Sequence, residues 1–90
     1  MTTDIDEIIE ELKGAKKKTT FKQLVTVMES VGCRARSNKD GCVVSHSLVR
    51  EYRVTVARPH GKSGGKYVKA PYIGYCVRLL GLVKDAEEEQ

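Results

Sequence analysis

Apolar residues recur along the chain with two periods, one typical of helices and one typical of strands. Near the amino terminus, the i, i+3, i+4, i+7 spacing of an amphipathic helix is carried by Ile5, Ile8, Ile9 and Leu12. Asp4 is available as its N-cap and Gly14 as its end. A helix of about ten residues is marginal alone, so we expect it to pack against its own domain or a partner. The basic segment 15–19 is interpreted as a solvated linker, with phosphate contacts as the alternative.

Two further helices are predicted from end signals and apolar faces. Thr20 and Gln23 fit a capping box and Gly32 is a suitable C′ residue, which together predict a helix over roughly 21–31. The third helix begins near Pro71, which suits a first turn, and Gly81 is expected to end it. Its predicted apolar stripe consists of Ile73, Cys76, Val77 and Leu80.

Between these two helices, alternating residues predict an antiparallel meander. The segment 33–37 alternates, the segment 42–48 is interpreted as a second strand, and the residues 38–41 between them are a strong turn signal. The third predicted strand, 52–57, follows a short connection formed by residues 49–51. Both flanking helices need cover, so we expect them on one face of the sheet, with the other face partly open. The predicted fold class is α+β: a small α-β-β-β-α domain with a three-stranded antiparallel sheet, helices on one face, and an extra amino-terminal helix.

The length of 90 residues allows one folded domain. We assign residues 1–19 to the amino-terminal helix and basic linker, 20–84 to the α-β-β-β-α domain, and 85–90 to an acidic tail that is expected to fray. No apolar run approaches the ~20 residues of a membrane span, and the acidic amino terminus lacks the order of a secretory signal. We therefore expect a cytoplasmic protein.

The three cysteines are Cys33, Cys42 and Cys76, an odd number without a Cys-x-x-Cys pair. This pattern favours neither a disulfide framework nor a zinc site. We predict that they are small buried hydrophobic residues, and we expect no metal and no cofactor.

Charge is distributed unevenly along the chain. Residues 15–84 contain 15 basic and 3 acidic side chains, a net charge of +12, whereas both ends are acidic. A basic domain of this kind favours a polyanionic partner, of which nucleic acid is the commonest. Solubility or an acidic protein partner is the alternative explanation.

A basic glycine-rich loop at 58–66 follows the third predicted strand and contains three cations, three glycines and a histidine. Glycine lets the backbone approach an anion closely, although such a loop can equally be a solvated turn. Arg34 and Arg36 would share one face of the first strand. The predicted nucleic-acid-binding residues are Arg34, Arg36, Lys39, Arg58, Lys62, Lys66 and Lys69.

Three segments together resemble, in order and spacing, the HicA toxins of bacterial toxin-antitoxin systems. They are FKQLVTVMESVGC at 21–33, RVTVARPHGK at 53–62 and VKAPYIGYCVRLLGLV at 68–83, and their span covers about two thirds of the chain. For the domain at 20–84, the resemblance implies a fold like that of double-stranded-RNA-binding domains. It also implies a metal-independent ribonuclease activity on messenger RNA and neutralisation by a HicB-type antitoxin protein.

The chain departs from that family at the residue taken as catalytic. The family usually carries Gly-Ser-His at the start of the second strand, whereas here Gly41 is followed by Cys42. His46, after Ser45, is the candidate replacement through a shifted register or a bulge. The alternative is a half-exposed strand histidine without a catalytic role. His60, the other histidine of the chain, is the second catalytic candidate.

A histidine matters because imidazole, with a pKa near ~6.5, can act as base or acid when RNA is cut without a metal ion. Arginine or lysine must then neutralise the phosphorane. Two other classes of function remain open. One is a non-catalytic nucleic-acid-binding module, and the other is an interaction protein whose basic sheet docks on an acidic partner such as an antitoxin.

Overall fold

The computed structural model describes residues 5–16, 18–58 and 67–89. These residues form the helices α1 (Ile5–Gly14), α2 (Phe21–Ser30) and α3 (Ala70–Glu88) and the strands β1 (Arg34–Ser37), β2 (Gly41–His46) and β3 (Val49–Ala57). The strands make one antiparallel sheet in the order β1-β2-β3, and α2 and α3 pack on it. The α+β fold predicted from the sequence is confirmed.

Alternation along the strands separates a core face of the sheet from an open face. Val44, Val54 and Val56 point toward the helices and are at most 2% exposed. Buried side chains of the helices cover them, namely Leu24, Met28, Ile73, Cys76 and Leu80. The open face carries the exposed side chains of Arg34, Arg36, Arg53 and Thr55. The sheet therefore gives one side to the core and presents a polar, basic side to solvent.

Both ends of α2 are fixed by local signals that the sequence contains. The predicted capping box is present, because the Thr20 hydroxyl accepts from the Gln23 amide and the Gln23 side chain accepts from the Thr20 amide. At the other end, the Cys33 amide donates to the Met28 carbonyl and Gly32 adopts a φ of 88°. This arrangement is a Schellman motif, which requires a left-handed residue after the last turn and therefore favours glycine at position 32.

The prediction that Gly81 ends the third helix is wrong, because α3 continues to Glu88. Glycine inside a helix costs about 1 kcal/mol relative to alanine. Burial of Val83, which lies beyond Gly81 and is fully buried, contributes about 1.5–3 kcal/mol and outweighs that cost. The segment 85–90, expected to be a frayed tail, is helical up to Glu88.

The added length of α3 gives α1 its packing partner. Ile8 and Leu12 of α1 belong to the same buried core as Val83, and α1 packs on α3. An exposed ion pair joins Lys84 Nζ to a carboxylate oxygen of Asp6 at 2.7 Å. The amino-terminal helix is thus covered within its own domain.

The boundary between the second and third strands also differs from the prediction. β2 ends at His46, Ser47 and Leu48 form a two-residue turn, and β3 starts at Val49, so residues 49–51 are strand and not a connection. Pairing changes register here. Val44 pairs with Val54 but His46 pairs with Val49, so four residues of β3 lie opposite the single residue Ser45. This irregularity bends β3 beside the end of β2.

All three cysteines are buried free thiols, as predicted. Burial raises the pKa of Cys33 from 9.0 to about 11 and the pKa of Cys76 to about 12. Burial also raises the pKa of Cys42, with the Arg58 charge acting in the opposite direction. In the folded protein these thiols therefore stay protonated and unreactive well above neutral pH.

We expect the free energy of unfolding to decrease as the pH rises above ~9. The unfolded chain loses its thiol protons there while the folded chain keeps them, so this stabilisation is complete below the unfolded pKa and is lost as the pH approaches the folded pKa. Each such thiol contributes a slope of about 1.4 kcal/mol per pH unit. Urea unfolding between about pH 8 and pH 10 measures the slope, and Cys33→Ala should make it shallower. The same slope in that variant would contradict the assignment.

Candidate nucleic-acid interface and histidine cleft

The predicted site residues are divided between two ends of the sheet. One end, here called the loop end, contains the β1-β2 turn, Arg58 and the start of α2. The other, here called the cleft end, contains His46 and the Gly32 turn that follows α2. His46 lies six positions after Asp40 along β2, which corresponds to roughly 20 Å at a rise of ~3.3 Å per residue. The two groups of candidate residues therefore cannot contact the same phosphate.

At the cleft end, a cleft of about 560 Å³ opens between the α2-β1 corner and the β2-β3 turn. Three arginines, two serines, a histidine and a glycine line it: Gly32, Arg34, Ser45, His46, Ser47, Arg50 and Arg53. Within the described part of the chain, no acidic side chain contributes to this lining. Its charges and hydroxyl groups favour an anion.

The irregular pairing of β3 explains why so many cations meet there. Arg50 and Arg53 both belong to the four residues that lie opposite Ser45, so both reach the end of β2. Between them, Tyr52 is half-buried and lies under Arg78 of α3, whose guanidinium carbon is 5.9 Å from the ring centroid. Tyr52 thus ties the irregular segment to the helix layer while its neighbours stay at the surface.

His46 is half-buried and is held by the turn that follows it. Its Nδ1 accepts a hydrogen bond from the Leu48 amide at 3.1 Å. Its Nε2 faces Gly32, where a Cβ atom would come within 3.3 Å of the ring nitrogen. Glycine at this position therefore serves two purposes, since it permits the positive φ and leaves the space beside the imidazole open.

The loop end brings together other predicted residues. The Arg58 amide donates to the Asp40 carbonyl at 2.9 Å, and the Arg58 guanidinium stacks on the Phe21 ring at 4.9 Å from its centroid. Lys39 is exposed in the β1-β2 turn, and Lys69 is exposed as the N-cap residue of α3. Arg58 and Lys69 are thus near in sequence to residues 59–66, and the turn that carries Lys39 is hydrogen-bonded to Arg58 through Asp40.

The remaining predictions are placed as follows. Arg34 lines the cleft, and Arg36 is exposed on the open face between the two ends. His60, Lys62 and Lys66 lie outside the described residues, so their roles stay predictions.

Two arginines of the cleft, Arg50 and Arg53, were not among the sequence candidates. Arg53 had a usable signal, because it alternates with the buried Val54 and must face the open side of the sheet. Arg50 had no such signal. Alternation gave no reason to begin the third strand as early as Val49, because the pairing of the strands is irregular there.

No protein-family model, curated protein or solved structure matches this chain. Its fold and site define a small α+β domain with a basic open face and a histidine-containing cleft at one end. None of the helices in the described ranges is long and apolar enough to cross a membrane. The described residues also contain no group of three His, Cys, Asp or Glu side chains arranged to hold a metal ion.

Proposed function

We propose that this protein is a HicA-like endoribonuclease toxin that cleaves messenger RNA without a metal ion and is neutralised by a HicB-type antitoxin. The observation that carries the proposal is the lining of the cleft. His46 lies there beside Arg34, Arg50 and Arg53, and no carboxylate of the described residues contributes to the lining. The element order α2-β1-β2-β3-α3 supports it, because it is the order that the sequence resemblance implies.

Metal-independent RNA cleavage needs few groups from the protein. The 2′-oxygen bonds to phosphorus as its proton leaves to a base, and the bond from phosphorus to the 5′-oxygen breaks as that oxygen receives a proton. In the transition state between these two events, negative charge accumulates on the non-bridging oxygens of the phosphate. Guanidinium groups stabilise this charge by paired hydrogen bonds. The arginines of the cleft supply such groups, and His46 supplies the imidazole beside them.

The rest of the basic surface extends the RNA path beyond the cleft. Arg36 lies on the open face, and Lys39, Arg58 and Lys69 lie at the loop end, roughly 20 Å from His46. We propose that a single strand of RNA crosses the open face between the two ends, with phosphate contacts at both.

The alternative is a non-catalytic nucleic-acid-binding module with the same fold. The specific observation in its favour is the position of His46, which stands at the end of β2, whereas the family carries its histidine at the start of the second strand. A basic face without a working histidine would still bind RNA or an acidic antitoxin segment.

The test is RNA cleavage by the purified protein, freed of any antitoxin, in the presence of EDTA. We expect products with 2′,3′-cyclic phosphate and 5′-hydroxyl ends. We also expect His46→Ala to lower the rate about 10²-fold or more, because loss of a proton-exchanging group or of a donor to the charged phosphate has an effect of this size. Lys13→Gln, on the exposed side of α1 and outside the cleft, is the control for the preparation.

Two other outcomes would replace the proposal. Salt-sensitive RNA binding without cleavage would favour the binding module. Cleavage that is unchanged in His46→Ala would remove His46 from the site, and the predicted candidate His60 would then be tested by His60→Ala.

A further inference from the structure

The hydrogen bond between the Leu48 amide and His46 Nδ1 fixes where the imidazole carries its proton. A backbone N–H can only donate, so Nδ1 must offer its lone pair across the 3.1 Å contact. A neutral imidazole has one proton on its two nitrogens, and the bond made by one nitrogen sets the state of the other. In the neutral ring of His46, the proton is therefore on Nε2.

Nε2 is the nitrogen available to a ligand. It has no hydrogen-bond partner among the described residues. No buried side-chain nitrogen or oxygen of those residues lacks a partner, so Nε2 is not buried. It lies beside the space left by Gly32, which lines the same cleft as the imidazole. Among the described residues, the cleft thus combines an unused N–H donor with three guanidinium groups and offers no carboxylate that would repel an anion.

We infer that the cleft is a phosphate-binding site in which His46 acts as a neutral hydrogen-bond donor through Nε2, beside Arg50 and Arg53, and does not exchange protons with the ligand. The inference deepens the proposed function and rests on it only in identifying the phosphate as part of RNA. Guanidinium groups match phosphate oxygens with paired donors, and the Nε2 proton adds a neutral one.

The role of a general base would require a different ring state. A base must present a lone pair at Nε2, which places the proton on Nδ1, directly opposite the Leu48 N–H. Two donors would then face each other and the amide would lose its partner. In the donor role, His46 positions the phosphate and stabilises charge on its non-bridging oxygens, while water takes the 2′-hydroxyl proton and supplies the proton of the leaving 5′-oxygen.

The direct test is NMR spectroscopy of the ¹⁵N-labelled full-length protein, with inorganic phosphate as the probe. Long-range ¹H–¹⁵N correlations report the tautomer, and we expect the pattern of a ring protonated at Nε2 and unprotonated at Nδ1. Added phosphate should shift the signals of His46 and of the arginine side chains of the cleft. A ring protonated at Nδ1, or phosphate-induced shifts confined to other regions, would overturn the inference.

Substitution distinguishes a donor from an acid or base. His46→Ala should weaken phosphate binding about tenfold, and Arg50→Gln should do the same, because each removes a donor to a charged group. His46→Gln should restore binding to within about threefold of the wild type, since its amide N–H replaces Nε2–H but cannot exchange protons at neutral pH. Binding by His46→Gln as weak as that of His46→Ala would refute the donor role. Lys13→Gln is the control for non-specific charge.

The same variants separate this inference from the proposed function. If phosphate binds in the cleft with the predicted tautomer but RNA is not cut, the enzyme proposal fails and the phosphate site stands. If RNA is cut and His46→Gln is as inactive as His46→Ala, the enzyme proposal stands and proton exchange by His46 replaces the donor role.

Discussion

Gly41→Ala is expected to destabilise the domain strongly. Gly41 is buried at the start of β2 and pairs with Ala57 of β3. A Cβ atom there would overlap the Val56 carbonyl oxygen and would lie 3.0 Å from the Ala57 Cα atom. Both are backbone atoms of the neighbouring strand, so no side-chain rotation relieves the clash. Overpacking of a core costs about 1–3 kcal/mol, and we expect a loss above about 3 kcal/mol because the sheet itself must separate.

Chemical unfolding followed by circular dichroism measures this effect, and Gly81→Ala is the matched control. Gly81 lies inside α3, and a Cβ atom added to it would meet nothing within 4 Å, so alanine should stabilise the protein by about 1 kcal/mol. Opposite signs for the same chemical change would confirm that Gly41 is fixed by close approach of β3. A Gly41→Ala protein as stable as the wild type would contradict the pairing of Gly41 with Ala57.

The elements that the sequence predicted best are those set by local rules. The capping box of Thr20 and the turn at Gly32 involve residues within five positions of one another, so their spacing alone specifies them. The alternation of residues 53–57 likewise predicted a half-buried strand, and its apolar residues Val54 and Val56 are buried. Each of these predictions depended on contacts within one element or on a period that the whole element shares.

The elements that were predicted wrongly depend on contacts between distant residues. Gly81 is a valid stop signal by itself, but Val83 beyond it packs in a core shared with α1, more than seventy residues earlier. The start of β3 at Val49 depends on its pairing with His46, and no periodicity reports a change of register. Local propensity was overruled in both places by tertiary packing.

The candidate site shows the same division. Arg34 and His46 were predicted, yet the cleft that joins them depends on the irregular pairing that also brings Arg50 to the end of β2. The sequence allowed a shifted register or a bulge near His46 without deciding which residues would surround the imidazole. It also grouped the hairpin cations with those of the glycine-rich loop, whereas Arg34 and Arg58 lie at opposite ends of the sheet.

That separation predicts how RNA binding depends on salt. If one strand of RNA contacts both ends of the open face, removing two cations from either end should reduce the slope of log affinity against log salt by about 1.4, since each phosphate contact on a single strand contributes about 0.7. The cleft pair is Arg34→Gln with Arg53→Gln, and the loop-end pair is Lys39→Gln with Lys69→Gln. Because the ends are roughly 20 Å apart, the two losses should add.

Fluorescence anisotropy with a labelled single-stranded RNA, titrated at several salt concentrations, provides the slopes. Each double variant should bind about tenfold or more weakly at ~0.1 M salt. The control, Lys13→Gln with Lys84→Gln, removes the same charge from the helix layer, where the ion pair with Asp6 is exposed and contributes little to stability. A control that weakens binding as much as the cleft pair would show that net charge alone governs affinity. An unchanged slope for the cleft pair would place the RNA on another surface. If Arg34 and Arg53 contact phosphates, removing both side chains must reduce the number of counterions that the RNA releases on binding, and the slope decreases with that number.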